Sequence, residues 1–253
     1  RAQRLLSALD PDYHALSVYA KYMGAHWVLA DLAEIGYPPE DATLVPLRDR
    51  VYAHWLARRQ TRERVVDREA ARYKSSPGVP VIAGRARRCA SQEGNALYAT
   101  IALDLVDERT DRLAANLIRW QWPDGGWNCD RKWDAHTSSF HETLLPLRGL
   151  VWHANLTGSQ ASRDAALRAA DVFLSRGLFR RRTEGSVIHG SFLKLRYPHY
   201  WHYDILIGLK VMAEVCLIDD PRCEEALDLL EAKRLPDGGW RAEGKHYRVV
   251  DEP

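Results

Sequence analysis

Long apolar runs are missing from this chain of 253 residues. Nowhere does it approach the roughly 18 consecutive apolar residues a membrane-crossing helix needs, so no membrane span is expected. Cysteine is scarce: Cys89, Cys129, Cys216 and Cys223 are the only 4. That excludes a disulfide scaffold at this length and makes a reducing cytoplasm the expected compartment. A charge imbalance is also lacking. Lys and Arg total 36 against 34 Asp and Glu, a net charge of +2, so no strong field draws nucleic acid or an anionic membrane. Two Arg-rich stretches, 58–72 and 176–182, read first as solvated faces and second as phosphate contacts. No signal peptide is expected, and because the chain opens RAQRLLSALD without Met, its start is expected upstream. Strand-like alternation never outlasts four or five residues; SVIHGSFLKL at 186–195 comes nearest to an extended piece.

What the chain does have is helical periodicity. Residues 14–36 carry Leu16, Tyr19, Tyr22, Met23, Trp27, Leu29 and Ala30 at helical spacing, and Gly36 with Pro38-Pro39 gives the stop. Apolar segments at 95–106, 139–155, 202–218 and 222–234 read the same way, with more polar helices at 44–62, 110–121 and 161–177. The polar segments end in similar strings: HWLARRQ from 54, NLIRWQW from 116, VFLSRGL from 172 and LLEAKRL from 229. Their spacings are 62, 56 and 57 residues, a near-constant period that marks a repeat of helical hairpins. The expected fold is a single all-α domain over 1–253, an α/α toroid of about four to five helix pairs.

Two of these ends carry a turn written twice, QWPDGGW at 121–127 and RLPDGGW at 234–240. Pro123 stops the helix, Asp124 favours a turn, and Gly125-Gly126 permits positive φ. Trp127 can then fold back on the helix just left, while Gln121 can bond groups left open at a helix end. The expected role is a structural staple.

Gln121, Gly125 and Trp127 resemble the QW repeat of squalene and oxidosqualene cyclases, whose helical-hairpin pattern is shared with protein prenyltransferase β-subunits. Arg234, Gly238 and Trp240 match with Arg in place of Gln. The resemblance implies an α/α toroid with a central cavity for an isoprenoid or other apolar small molecule. The sequence departs from the cyclase pattern in lacking Asp-x-Asp-Asp. Its nearest string is IDDPRCEEA at 218–226, which reads as an interhelical link and helix start. The sequence departs from the prenyltransferase zinc set as well, an Asp, a nearby Cys and a distant His, because Cys129-Asp130, His136 and His141 differ from it in order and spacing.

In such a fold, residues opening the apolar helices face the cavity mouth. They are His14; Cys89, Gln92 and Asn95; His136, Ser139, His141 and Glu142; and His199, His202, Tyr203 and Asp204. Zinc is the metal to consider, with Cys129, Asp130, His136 and His141 in one window and Cys89 brought in from the preceding helix. No Cys-x-x-Cys or His-x-x-x-His pair supports it, and the alternative is that the cysteines are small buried hydrophobes. Ser138 or Ser139 would cap the helix there, with Glu142 closing the box. Cys129 with His136 or His141 could also make an activated thiolate. Cys216 and Cys223 read as core thiols. His141, His202 and Asp204 are the acid/base candidates, with Asp204 as a helix cap the alternative. Cys89, Asn95, Cys129, Asp130, His136 and Tyr203 are the pocket candidates. Trp133, Phe192, Tyr197, Tyr200, Trp201 and Tyr203 could line an aromatic wall. Two rivals stand beside an enzyme of apolar substrates: a carbohydrate-active toroid, using paired carboxylates from Asp130, Glu142 and Asp204, and a non-catalytic binding scaffold.

Overall fold

The computed structural model describes residues 5–6, 16–67 and 78–244. The chain is largely helical and divides into two compact units, Arg1–Ala170 and Asp171–Pro253.

The first unit holds α1 (Ala25–Glu34), α2 (Val45–Trp55), the single turn α3 (Arg58–Thr61), α4 (Ala90–Ala102), α5 (Glu108–Arg119) and α6 (Phe140–Thr157). Helix α7 (Gln160–Leu174) runs from the first unit into the second. Helices α1, α4 and α6 form one layer, with α4 packed against both of the others. Helix α2 packs on α1 and α4, and α5 on α4 and α6, so each covers a seam between successive layer helices. The sequence explains the division. Residues 25–33 of α1 and 90–100 of α4 are buried on every face, as a helix enclosed by others must be. Helix α5 is amphipathic and buries Leu113, Ala114 and Leu117 from one side.

The layer is held by a close crossing of α4 and α6. A Cβ on Gly94 would lie 2.3 Å from the Pro146 nitrogen and 2.4 Å from the Leu145 carbonyl carbon, and one on Gly149 would lie 2.6 Å from the Gly94 oxygen. Pro146 sits inside α6, where it has no N–H to donate. Elsewhere in the layer, Arg148 donates to Glu34 at 2.7 Å, with its guanidinium 3.5 Å above the Tyr98 ring.

The first helix is shorter than its periodicity suggests. His14 lies outside the described residues, and the chain turns through 16–24 before α1 begins at Ala25. A Cβ on Gly24 would meet the carbonyl oxygens of Val18 and Ser17 at 2.3 and 2.5 Å, so the backbone doubles back there. The period persisted because Tyr19 and Tyr22 pack against Trp27, each with centroids 5.4 Å apart. A sheet of β1 (Glu63–Val65), β2 (Val79–Ile82) and β3 (Arg85–Ala86) was not expected. β1 pairs parallel with β2, and β2 antiparallel with β3. Strands of 3, 4 and 2 residues are too short to show a period. Within the Arg-rich stretch, residues 68–72 lie outside the described residues.

In the second unit, α8 (Ile205–Glu214) packs on α9 (Glu224–Glu231). Instead of an extended piece, residues 190–193 make a 3₁₀ turn. Cys223 is buried as expected, but Cys216 is exposed, at φ 58° where the chain leaves α8.

The duplicated turn has the same geometry in both units. Trp127 Nε1 donates to Leu117 O at 3.0 Å, and Trp240 Nε1 to Leu230 O at 2.7 Å. The backbone closes alike, Trp122 N to Gly126 O and Leu235 N to Gly239 O, both 2.8 Å. Gln121 Nε2 donates to Gly125 O and Ala165 O, both at 2.7 Å, while Arg168 donates to Gln121 Oε1. Gln121 thereby ties its own turn to α7. Arg234 stacks over Trp240 at 5.5 Å instead.

Replacing Gly94 with Ala should separate α4 from α6 and lower stability by about 1–3 kcal/mol or more, the usual cost of overpacking. An unchanged urea midpoint for Gly94→Ala would show that the crossing yields easily.

Candidate metal site

Three side chains far apart in sequence meet at one end of the α1/α4/α6 layer. Cys89 is the N-cap of α4. Cys129 lies on the loop after the Trp127 turn, held beside α4 by the Arg87–Asn128 bridge and by Arg88 N donating to Asn128 O at 3.3 Å. Glu142 stands in the first turn of α6. The Cys89 and Cys129 sulfurs and a Glu142 oxygen all lie within 4.8 Å of one another.

Glu142 does not cap its own helix. Ser139 is the N-cap and makes no side-chain cap bond. Glu142 Oε2 instead accepts from Ser91 N, in the first turn of α4, at 3.0 Å, and Oε1 accepts from the Cys129 thiol at 3.2 Å. Ser138 serves the turn, its N and Oγ donating to Asp124 at 2.7 and 2.5 Å. Burial raises the Glu142 carboxyl, against the opposing pull of the Ser91 N–H. The Cys129 thiol beside it holds the Cys89 thiol below its ordinary value, and the same contact raises Cys129. Tyr19 is pushed up to about 12 by burial first, then by Cys89 and Glu142, so it faces this cluster as a neutral phenol.

Behind the cluster, the chain fixes its geometry with buried polar pairs. Arg88 grips Glu93 through two bonds of 2.9 and 2.6 Å. Its guanidinium lies 5.5 Å from the Trp55 ring and 5.3 Å from the Trp120 ring. His26 is fully buried on α1. Trp55 Nε1, which can only donate, points at His26 Nδ1 at 3.4 Å, so Nε2 carries the hydrogen, toward Gln92 Oε1 at 3.0 Å. Burial lowers His26 to about 3, which keeps the ring neutral.

Two thiols and a carboxylate form a set that suits zinc. Tetrahedral zinc with Zn–S near 2.3 Å places two sulfurs about 3.8 Å apart, within reach of this spacing. Three protein donors leave a fourth position open, as in catalytic rather than structural zinc sites. Cys89 is exposed, and Cys129 and Glu142 are half-buried.

The structure brings Cys89 and Cys129 together, but it does not add Asp130 or His136 to them. Asp130 is exposed and accepts from Lys132 N at 3.0 Å. His136 is exposed, with Nδ1 2.7 Å from Asp134 O. His141 is half-buried and adjoins Glu142 in sequence. Asn95 is buried within α4. His202, Tyr203 and Asp204 belong to the second unit. There Asp204 is fully buried as the N-cap of α8. It accepts from Ile207 N at 3.1 Å and Arg196 N at 2.8 Å, with His199 Nε2 at 3.4 Å. Tyr203 is buried against Phe173 and Phe192, and its hydroxyl donates to Leu178 O at 2.6 Å. His202 Nδ1 lies 3.3 Å from His199 O. Trp133 and Tyr197 are exposed, so they form no buried wall. From the sequence, Glu142 reads as a cavity-mouth residue, as one of a pair of carboxylates, or as the close of its own capping box three residues after Ser139, and not as a partner of the two cysteines. What could have marked it is its place, one turn into an apolar helix, beside a Cys-bearing loop.

No protein-family model, curated protein or solved structure matches this chain.

His26 supplies a pH test. With its native value near 3 against an ordinary 6.5, the unfolded chain binds a proton that the native chain refuses between those values. Stability contributed by neutral His26 is therefore lost as pH falls. Glu142 and Glu93, both raised by burial, act with the opposite sign above the usual carboxylate range, so the readout is a difference. Wild type should lose about 2–3 kcal/mol more than His26→Gln between about pH 6 and pH 4. Equal slopes in urea titrations would mean that His26 takes up its proton in the folded state.

Proposed function

We propose that Cys89, Cys129 and Glu142 hold one zinc ion and that the chain is a zinc-dependent enzyme of an apolar substrate. The observation that carries this reading is the convergence of three ligand-type atoms from residues 89, 129 and 142 at one end of the helical layer. Zinc at this site would supply Lewis-acid chemistry at its open position, where a thiol, water or carbonyl of the substrate could bind. Glu142 would offer Oε1 while Ser91 N–H keeps Oε2 oriented. Tyr19 would stand by as a neutral hydrogen-bond donor, and Arg88 and Glu93 would hold the start of α4 in place.

The architecture we infer is an arc of an α/α toroid, as in the terpenoid cyclases and prenyltransferase β-subunits. Support comes from the α1/α4/α6 layer with α2 and α5 across its seams, and from the shared geometry of the Trp127 and Trp240 turns. An isoprenoid or similar apolar molecule is the substrate class that follows from this architecture. The carbohydrate-active reading loses support, because among the described residues the Cys89–Cys129–Glu142 cluster holds a single carboxylate and Asp204 is spent as a buried cap.

Elemental analysis of protein purified without chelator should find close to one zinc per chain. Cys89→Ala and Cys129→Ala should each reduce it to a small fraction, and Glu142→Gln should weaken binding at least tenfold. Metal-free protein that also fails to take up added zinc would leave the cluster as two thiols and a half-buried acid, and would favour the binding-scaffold reading.

A further inference from the structure

A second polar site lies in the same unit, on the sheet that precedes α4. We propose that Arg85 and Arg87, with Trp122 between them and the turn, bind a small dianionic oxyanion, the chemistry shared by inorganic phosphate and a phosphate monoester.

Arg85 and Arg87 are two residues apart on extended chain, so they share a face. Both guanidinium groups lie over the Trp122 ring, at 5.8 and 4.5 Å, and that ring is anchored by Nε1 donating to Ala86 O at 2.7 Å. Arg87 is only 3% exposed. Its one side-chain hydrogen bond is long, Nη2 to Ile82 O at 3.4 Å, and its buried Nε and Nη1 have no acceptor. Arg85 donates Nη1 to Ala83 O at 3.4 Å, and its buried Nε also has no acceptor.

Two cations side by side, one of them out of water, need a counter-charge. The described carboxylates nearby do not supply it. Glu63 is engaged by Arg119 at 2.7 Å and by Trp120 Nε1 at 2.9 Å. Glu93 is engaged by Arg88. Asp130 attracts Arg87 but makes no ion pair with it. Ordered water could satisfy spare N–H groups, but it would not balance the charge. Three spare donors on two planar guanidiniums match a tetrahedral dianion. The cleft beside Arg85, about 140 Å³ and lined also by Glu63, Arg119, Trp120, Gln121 and Trp122, has room for a phosphoryl group, and the Glu63 carboxylate in it is already held by Arg119 and Trp120.

Isothermal titration at constant ionic strength tests the proposal on the full chain, with inorganic phosphate, phenyl phosphate and benzoate as probes. Saturable binding of a phosphate probe is expected, with Arg85→Gln and Arg87→Gln each weakening it at least tenfold and Cys129→Ala leaving it unchanged. Equal binding of both phosphates identifies the free ion as sufficient. A tenfold preference for phenyl phosphate identifies a monoester whose organic group enters the cleft. No saturable phosphate binding, binding unaffected by Arg85→Gln, or benzoate binding as tight as phosphate would each overturn the proposal. Arg85→Gln stands alone if Arg87→Gln does not fold. Retention of phosphate binding by Cys129→Ala separates this result from the fate of the zinc reading.

Discussion

The contact on which the first unit depends is the crossing of α4 and α6 at Gly94. Backbone meets backbone there, with the Pro146 nitrogen where a side chain would be. Cys89 lies five residues before Gly94 and Glu142 four before Pro146, about one helical turn from the crossing on each side. Helices that touch through their main chains have little freedom to slide or separate, so the spacing of these two side chains is set by the crossing. Gly149 continues the approach one turn further on, under the Gly94 carbonyl.

The third member of the cluster reaches it by a different route. Cys129 is on a loop, and a loop alone fixes nothing to within ångströms. Its position is inherited from the turn before it. Trp127 is fully buried, its ring nitrogen bonded to α5 and its backbone N–H to Thr143 Oγ1 of α6 at 3.1 Å. The duplicated turn, structural in origin, therefore holds a cysteine against two helix ends. Arg88 adds a lateral clamp between Trp55 and Trp120, so the polar core of this unit lies directly behind the Cys89–Cys129–Glu142 cluster.

Helix existence and order could be read from periodicity because each buried helix differs so clearly from its amphipathic partner. The staple role of Trp127 could also be read, since proline, aspartate and two glycines in a row allow few conformations. The start of α1 could not, because Tyr19 and Tyr22 keep a helical spacing while the chain turns to stack them on Trp27. The three short strands left no period to detect. At the site, Cys89 and Cys129 were visible as ligand types and Glu142 as a carboxylate at the cavity mouth, but their convergence was not. Glu142 obeys a local capping pattern in sequence and breaks it in space, because the open N–H of Ser91 on the neighbouring helix competes for the same carboxylate. The reverse occurred at Asp204, where the local rule held and the residue went into the cap.

That displacement of Glu142 also bears on ion choice. With Oε2 turned toward Ser91 N–H, the carboxylate would meet a cation in the proposed site chiefly through Oε1. Calcium sites draw on six or more oxygens, often with a two-oxygen grip from one carboxylate, and magnesium keeps an octahedral shell that thiolates do not fit. A borderline-soft ion content with four partners loses nothing by the arrangement. In the zinc site proposed here, a hydrogen bond whose local effect is to tie off the end of a helix would also disfavour a two-oxygen grip by Glu142.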